Sequence, residues 1–397
     1  MKAVLQFINS FHQGGSESQA VQLTRLLSES GRYRVHVACL DGEGVLREEV
    51  SHLGLGEIPE YRLNNFYDGN MLKQLRRCAA DLRKLKIDVV HTHDFYTNVF
   101  GILAARLARV PVRIASRRET AGMRTEAQKK VERFVYRLAH AVVANSEAVR
   151  RQLVAESVPE SKIVTIYNGL DVRRVAPDMS REEALSFFNL PPSPSKRFVT
   201  IVANLRHDVK DHPTFLRAAR RVRAEVAEAA FIIAGEGELT NRVRALAKEL
   251  GLERDVFFTG RCRKVGDLLA VSDVCVLSSR AEGFSNSILE YMAAGRAVVA
   301  TDVGGAREAI VESETGYLVA AGDDEKMAAR IISLLQDPER RKAMGARARR
   351  RVAEKFSPAA QLENSLKLYD RLLVSSSNAL KLAAGDERPR GSVTEVQ

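Results

Sequence analysis

Cysteine is scarce and scattered in this sequence: Cys39, Cys78, Cys262 and Cys275 form no C-x-x-C pair. That spacing argues against a zinc or disulfide framework and for a reducing cytoplasm. No run of eighteen apolar residues occurs, so no membrane-spanning helix is expected. The opening MKAVLQFINSF has a basic residue and a short apolar run, but Gln6 and Asn9 interrupt it and no small-residue cleavage site follows. It reads as a first buried strand. A basic helix with interleaved aromatics is also missing, which argues against a nucleic-acid partner. No D-x-D pair stands at a strand end, so neither a metal nor another cofactor is expected.

What is present is length, apolar content and positive charge. A chain of 397 residues, 45% hydrophobic, can bury a core in each of two domains. Its net charge of +11 implies attraction to something anionic. Much of the excess is local, since Arg113 to Arg137 holds eight basic and three acidic residues. Such a run is either a solvated face or a patch for an anionic acceptor or the cytoplasmic face of a membrane.

The pattern alternates strand-like and helix-like segments, the mark of an α/β protein. KAVLQFIN reads as a strand, and Gly14-Gly15 precedes a helix for which Ser16 and Gln19 form a capping box. Glycines at that junction let a ligand approach the backbone. IDVVHTHD is a strand ending in His91, His93 and Asp94, with residues 91 and 93 on one face and Asp94 placed to cap the next helix. A two-histidine metal site there lacks a third ligand. IYNGLD carries an Asn-Gly turn. A polar, proline-rich stretch at residues 173–196 reads as a linker between a domain at 1–172 and a second at 197–358. A last helix spans about 359–374, and a disordered tail is expected at 376–397.

One stretch, SSRAEGFSNSILEYMAAGRAVVATDVGG, organises the second domain. The strand VSDVCVLSS precedes it, a loop holds Glu282 and Gly283, and helical spacing then runs from Ile288 until Gly295 stops it. Ligands bind beyond the carboxyl ends of such strands. There the helix start at Ser285, Asn286, Ser287 and Ile288 offers free amides and a positive dipole end to a phosphate or diphosphate. One turn on, Glu290 can accept hydrogen bonds from sugar hydroxyls. Alternatively, both glutamates are solvated acids favoured near a helix start.

The E-x7-E spacing inside AEGFSNSILEYMAAGRAVVATDVGG resembles the signature of retaining glycosyltransferases of GT-B fold, in particular glycosyltransferase family four. The likeness runs from the first strand to about Leu373, and it implies that the last helix, at about 359–374, packs back on the first domain. It implies two facing Rossmann-like domains with a cleft between them. It also implies transfer of a sugar from a nucleotide diphosphate sugar, UDP- or GDP-linked, to a saccharide or lipid-linked acceptor, as in surface polysaccharide or lipopolysaccharide assembly. By resemblance, Glu290 holds the ribose, Glu282 and His93 lie by the donor sugar, the segment Ser285 to Ile288 holds the diphosphate, and Gly14 and Gly15 face it across the cleft. Arg206 and Lys210 stand where the family places an Arg and a Lys, usually with a glycine after the Lys; here Asp211 follows. Rival readings are an epimerase or hydrolase of nucleotide sugars, or a non-enzymatic binder of anionic membrane or nucleic acid.

Overall fold

The computed structural model describes residues 1–63, 65, 68–120 and 124–384, with side chains as far as residue 378. Short, mostly buried apolar runs form two six-stranded sheets, and the helices between them make every strand pairing parallel. The first sheet contains β1 (Ala3–Ile8), β2 (Arg34–Cys39), β3 (Val89–Thr92), β4 (Val112–Arg117), β5 (Ala141–Ala144) and β6 (Ile163–Thr165), in the order β2-β1-β3-β4-β5-β6. The second contains β7 (Arg197–Val202), β8 (Ala229–Ala234), β9 (Val256–Gly260), β10 (Val274–Leu277), β11 (Ala297–Thr301) and β12 (Gly316–Val319), in the order β12-β11-β10-β7-β8-β9. Each sheet therefore reverses its winding once, between β1 and β3 and between β7 and β10. Those reversals open crevices at the strands' carboxyl ends. The loops that the sequence marks for chemistry leave β1, β3, β7 and β10.

Several expected boundaries shift. The stretch at 173–196 is not a bare linker. It contains the helix Arg181–Phe187, capped by Ser180, and Ala184, Leu185, Phe188 and Leu190 join Phe198, Ile232 and Leu268 in the second domain's core. Apolar residues at helical spacing among the polar ones explain the difference. Ser16 does not cap the first long helix. That helix, Gly15–Glu29, has Gly14 as its N-cap and no side-chain cap.

The C-terminal helix also runs further than expected, over Pro358–Ala384. Serine hydroxyls that suggested a polar tail are bonded instead, Ser375 and Ser377 back to carbonyls four residues earlier and Ser376 to the Pro111 carbonyl at 3.3 Å. The remaining tail, 385–397, lies outside the described residues.

This last helix crosses to the first domain, as the resemblance implied. Leu366, Leu368 and Tyr369 pack with Val4, Leu23 and Ile114 in one core. Tyr369 also reaches polar groups: its hydroxyl lies 2.7 Å from His91 Nδ1 and accepts from Gln6 Nε2 at 3.1 Å. Leaving such buried groups without a partner costs about 1–3 kcal/mol. Tyr369→Phe is accordingly expected to lower stability by about that amount, read as a shift in urea midpoint by circular dichroism.

Candidate functional site: a cleft between two sheets

Topology brings together two loops from opposite ends of the second domain's sequence. Lys210 follows β7 and Glu282 follows β10, and the two meet at the winding reversal with Lys210 Nζ 2.6 Å from Glu282 Oε1. Ser279 Oγ donates to the same oxygen at 2.6 Å. Lys210 is set by an unusual neighbour. Asp211, where the family commonly has glycine, adopts φ 44° and ψ 50°, the left-handed region that glycine occupies freely. Its carboxylate offsets that strain by capping the helix His212–Glu225 and by pairing with Arg280 through two contacts of 2.9 and 3.3 Å. Arg206 lies exposed on the same loop, its amide bonded to Asn204 Oδ1.

The helix Asn286–Ala293 starts where the sequence places it, with Ser285 Oγ accepting from the Ile288 amide at 3.4 Å. Ser287 Oγ donates to the Val202 carbonyl at 2.9 Å. Among the described residues no partner is seen for the amides of Asn286 and Ser287, which leaves them for an anion. One turn further, Glu290 is half-buried, with no side-chain hydrogen bond among the described residues. Burial pushes its carboxyl up to about 7, against a smaller opposing pull from Arg174. A carboxylate short of partners suits a ligand that donates hydroxyls.

Three successive carbonyls in the loop before this helix are held from the first domain. Glu282 O accepts from Thr120 Oγ1 at 2.7 Å, Gly283 O from Ser146 Oγ at 3.1 Å, and Phe284 O from Asn168 Nδ2 at 3.1 Å. Contact is so close that a Cβ on Gly283 would lie 1.9 Å from the Arg118 carbonyl, and one on Gly304 would lie 2.0 Å from the Glu282 carbonyl. Glycine is required at both positions. Asn286 completes the join: Oδ1 accepts from Asn168 at 2.9 Å, and Nδ2 donates to the Gly15 carbonyl at 3.3 Å. Gly15 thus lies against the helix start, with Gly14 preceding it as the N-cap of its own helix. At the margin, the Glu308 carboxylate accepts from the amides of Glu147 and Ala148, at 2.7 and 2.9 Å, at the start of the helix Glu147–Ala155.

His93 is buried at the carboxyl end of β3. It is 2% exposed, with Nε2 2.7 Å from Gln6 Oε1 and Nδ1 3.3 Å from Arg118 Nη2. Since guanidinium only donates, Nδ1 accepts and the proton sits on Nε2. Burial holds the ring well below its usual pKa and keeps it neutral. Its edge therefore supports Arg118 instead of opening to the cleft. His91 is structural, with both nitrogens taken by Tyr369 and Ser116 at 2.7 Å. Neither histidine has a nitrogen free for a metal. His12, Asp41 and Glu43 bring ligand atoms together within 4.8 Å on loops after β1 and β2. There Glu43 Oε1 already lies 3.4 Å from Arg62, as in ordinary surface charge pairing.

Three cations of the basic run are paired with carboxylates. Arg117 pairs with Glu132 and Glu156, Arg124 with Glu119 and Glu132, and Lys129 with Glu126. Sequence reasoning did not single out Arg118, Thr120 or Tyr369, and it marked Ser146 only as a helix cap, which it is. Arg118 was hidden among other cations, whereas Asn168 was at least signalled by its Asn-Gly turn.

Two facing parallel sheets, with an amide-lined helix start and a carboxylate one turn beyond, define a glycosyltransferase of the GT-B class. The chain matches the family description Glycosyltransferase Family 4 over residues 13–174 and Glycosyl transferases group 1 over residues 183–351, and it belongs to this family. It is similar to the N-acetyl-alpha-D-glucosaminyl L-malate synthase of Bacillus anthracis, 27% identical over 353 residues, 86% of this chain and 90% of that protein. It also resembles the putative glycosyltransferase EpsD of Bacillus subtilis, 34% identical over 160 residues, 40% of this chain and 42% of that one. Among solved structures, a glycosyltransferase from Rickettsia africae superposes with a TM-score of 0.81 at 21% identity, covering 94% of this chain and 99% of that one. HepE of Anabaena in complex with UDP gives 0.80 at 19%, covering 94% and 100%.

Glu290 provides a pH test. The unfolded carboxyl releases its proton near 4.5 and the folded one near 7, so the ionised side chain destabilises the fold above pH 7 and the penalty disappears as pH falls to 4.5. Glu290→Gln should raise the unfolding midpoint at pH 8, by on the order of 1 kcal/mol after solvent screening, and leave it unchanged at pH 4.5.

Proposed function

We propose that the protein transfers a sugar, with retention at the anomeric carbon and without a metal, from a UDP- or GDP-linked donor to a saccharide or lipid-linked acceptor. The observation that carries this reading is the pair of unpartnered amides at Asn286 and Ser287, one helical turn from the half-buried Glu290. In this reading the amides and the helix dipole receive the diphosphate, and Glu290 takes the ribose hydroxyls. Lys210 leaves Glu282 for the diphosphate as negative charge grows on the leaving group, and Arg206 approaches from the exposed side of the loop. Glu282, released from Lys210, positions the sugar. His93 contributes by holding Arg118 in place. Front-face transfer, in which the leaving phosphate guides the incoming hydroxyl, needs no enzyme base.

Relatives support the acceptor class. One similar protein, from Campylobacter jejuni and 26% identical over 381 residues, is an N-acetylgalactosaminyltransferase acting on a diphospho-undecaprenol-linked sugar. A role in surface polysaccharide assembly at the cytoplasmic face of a membrane fits this. The helix Glu126–Leu138 exposes Val131 and Phe134 beside Lys130 and Arg137, apolar and basic groups suited to an anionic bilayer surface. No helix among the described residues is long and apolar enough to cross a membrane.

A thermal-shift panel of UDP, GDP, ADP and their sugars tests the donor class. One nucleotide should stabilise the protein strongly. Glu290→Ala should weaken its binding by about 10-fold or more, the loss of one to two charge-assisted hydrogen bonds. Glu282→Ala should leave binding nearly intact and lower turnover about 100-fold. Unchanged nucleotide affinity in the Glu290 variant would contradict the ribose assignment, and turnover without acceptor would favour an epimerase or hydrolase.

A further inference from the structure

One cation in the cleft has only neutral partners. Arg118 stands just past β4, on the first domain, with Nη1 donating to Asn168 Oδ1 at 2.9 Å and Nη2 to His93 Nδ1 at 3.3 Å. Its Nε is buried and unpartnered. Among the described residues no carboxylate lies within 4.0 Å of it, whereas the preceding Arg117 has two. Burial pushes Arg118 down to about 10, which measures how little its surroundings compensate the charge. A desolvated guanidinium without a counter-ion is destabilising by itself, and the relay from Tyr369 through Gln6 and His93 fixes its fork in one orientation. Such a group is preorganised for a planar or tetrahedral anion.

Position selects the source of that anion. The amides assigned to the donor diphosphate are on the opposite domain, beyond Asn168, which bonds both Arg118 and Asn286. On Arg118's own side, Glu17 and Asp94 are close enough to act on its charge, and burial pushes both carboxyls up, Asp94 to about 7. A carboxyl so raised repels a neighbouring anion less than an ordinary carboxylate does and still bonds hydroxyls. We propose that Arg118 binds an anionic group of the acceptor, a phosphate or a carboxylate, while Asp94 and Glu17 face the hydroxyls beside it. This rests on the transferase reading above and narrows the acceptor from any saccharide to one carrying negative charge.

The test is calorimetric titration of the nucleotide-saturated protein with inorganic phosphate and glycerol 3-phosphate, using glycerol as the neutral control. The anionic probes should bind at least tenfold more tightly than glycerol. Arg118→Gln should weaken them at least tenfold while changing nucleotide affinity less than twofold, and Arg118→Lys, which keeps the charge and loses the fork, should fall between. Equal binding of the anions by wild type and the Gln variant, or no binding by wild type, overturns the proposal. So does a parallel loss of nucleotide affinity, which would put Arg118 on the donor diphosphate. If Arg118→Gln does not fold by circular dichroism, the Lys variant decides: undiminished anion affinity overturns the proposal. Should no nucleotide bind wild type, the transferase reading fails separately, and phosphate titration of the ligand-free protein still reports on Arg118.

Discussion

Three consecutive carbonyls, of Glu282, Gly283 and Phe284, point at hydroxyl and amide donors on the other domain, and this seam sets the geometry of the cleft. A loop whose carbonyls are all bound on one side has few conformations left. Its next residues begin a helix whose first amides face the opposite way. Glycines at 283 and 304 are the steric condition for the seam, because any side chain there would meet backbone at about 2 Å. The helix start is thereby presented to a ligand as a fixed donor array, without the entropy of a mobile loop.

Charge is arranged with the same economy. The net +11 suggests a broad basic surface, and within the concentrated run from Arg113 to Arg137 the cations Arg117, Arg124 and Lys129 are paired with Glu119, Glu126, Glu132 and Glu156. Two cations at the cleft, Lys210 and Arg118, differ in their partners. Lys210 is held by Glu282 at 2.6 Å. Arg118 has no such partner to leave.

The sheets, their winding and the helix at Asn286 are legible in the sequence because each depends on local pattern: β-branched runs, a capping serine and a terminating glycine. Glu282 and Glu290 are legible for the same reason, lying eight residues apart within one strand-loop-helix unit. What the sequence conceals depends on distant approach. Tyr369 meets Gln6 across 363 residues, and only the packed C-terminal helix brings it there. Arg118 looks like one cation among eight until folding pairs its neighbours and leaves it alone. Asp211 departs from the family's glycine, and the structure supplies the reason: its carboxylate holds a helix start and Arg280 while the backbone keeps the left-handed turn.

The central claim is that this seam presents Asn286 and Ser287 to a nucleoside diphosphate. A crystal structure of the protein with the nucleotide it binds most tightly tests it most directly. The account predicts phosphate oxygens within about 3 Å of those two amides and ribose hydroxyls on the Glu290 carboxylate. A nucleotide bound outside the cleft, or one in the cleft whose phosphates do not touch that helix start, would contradict it.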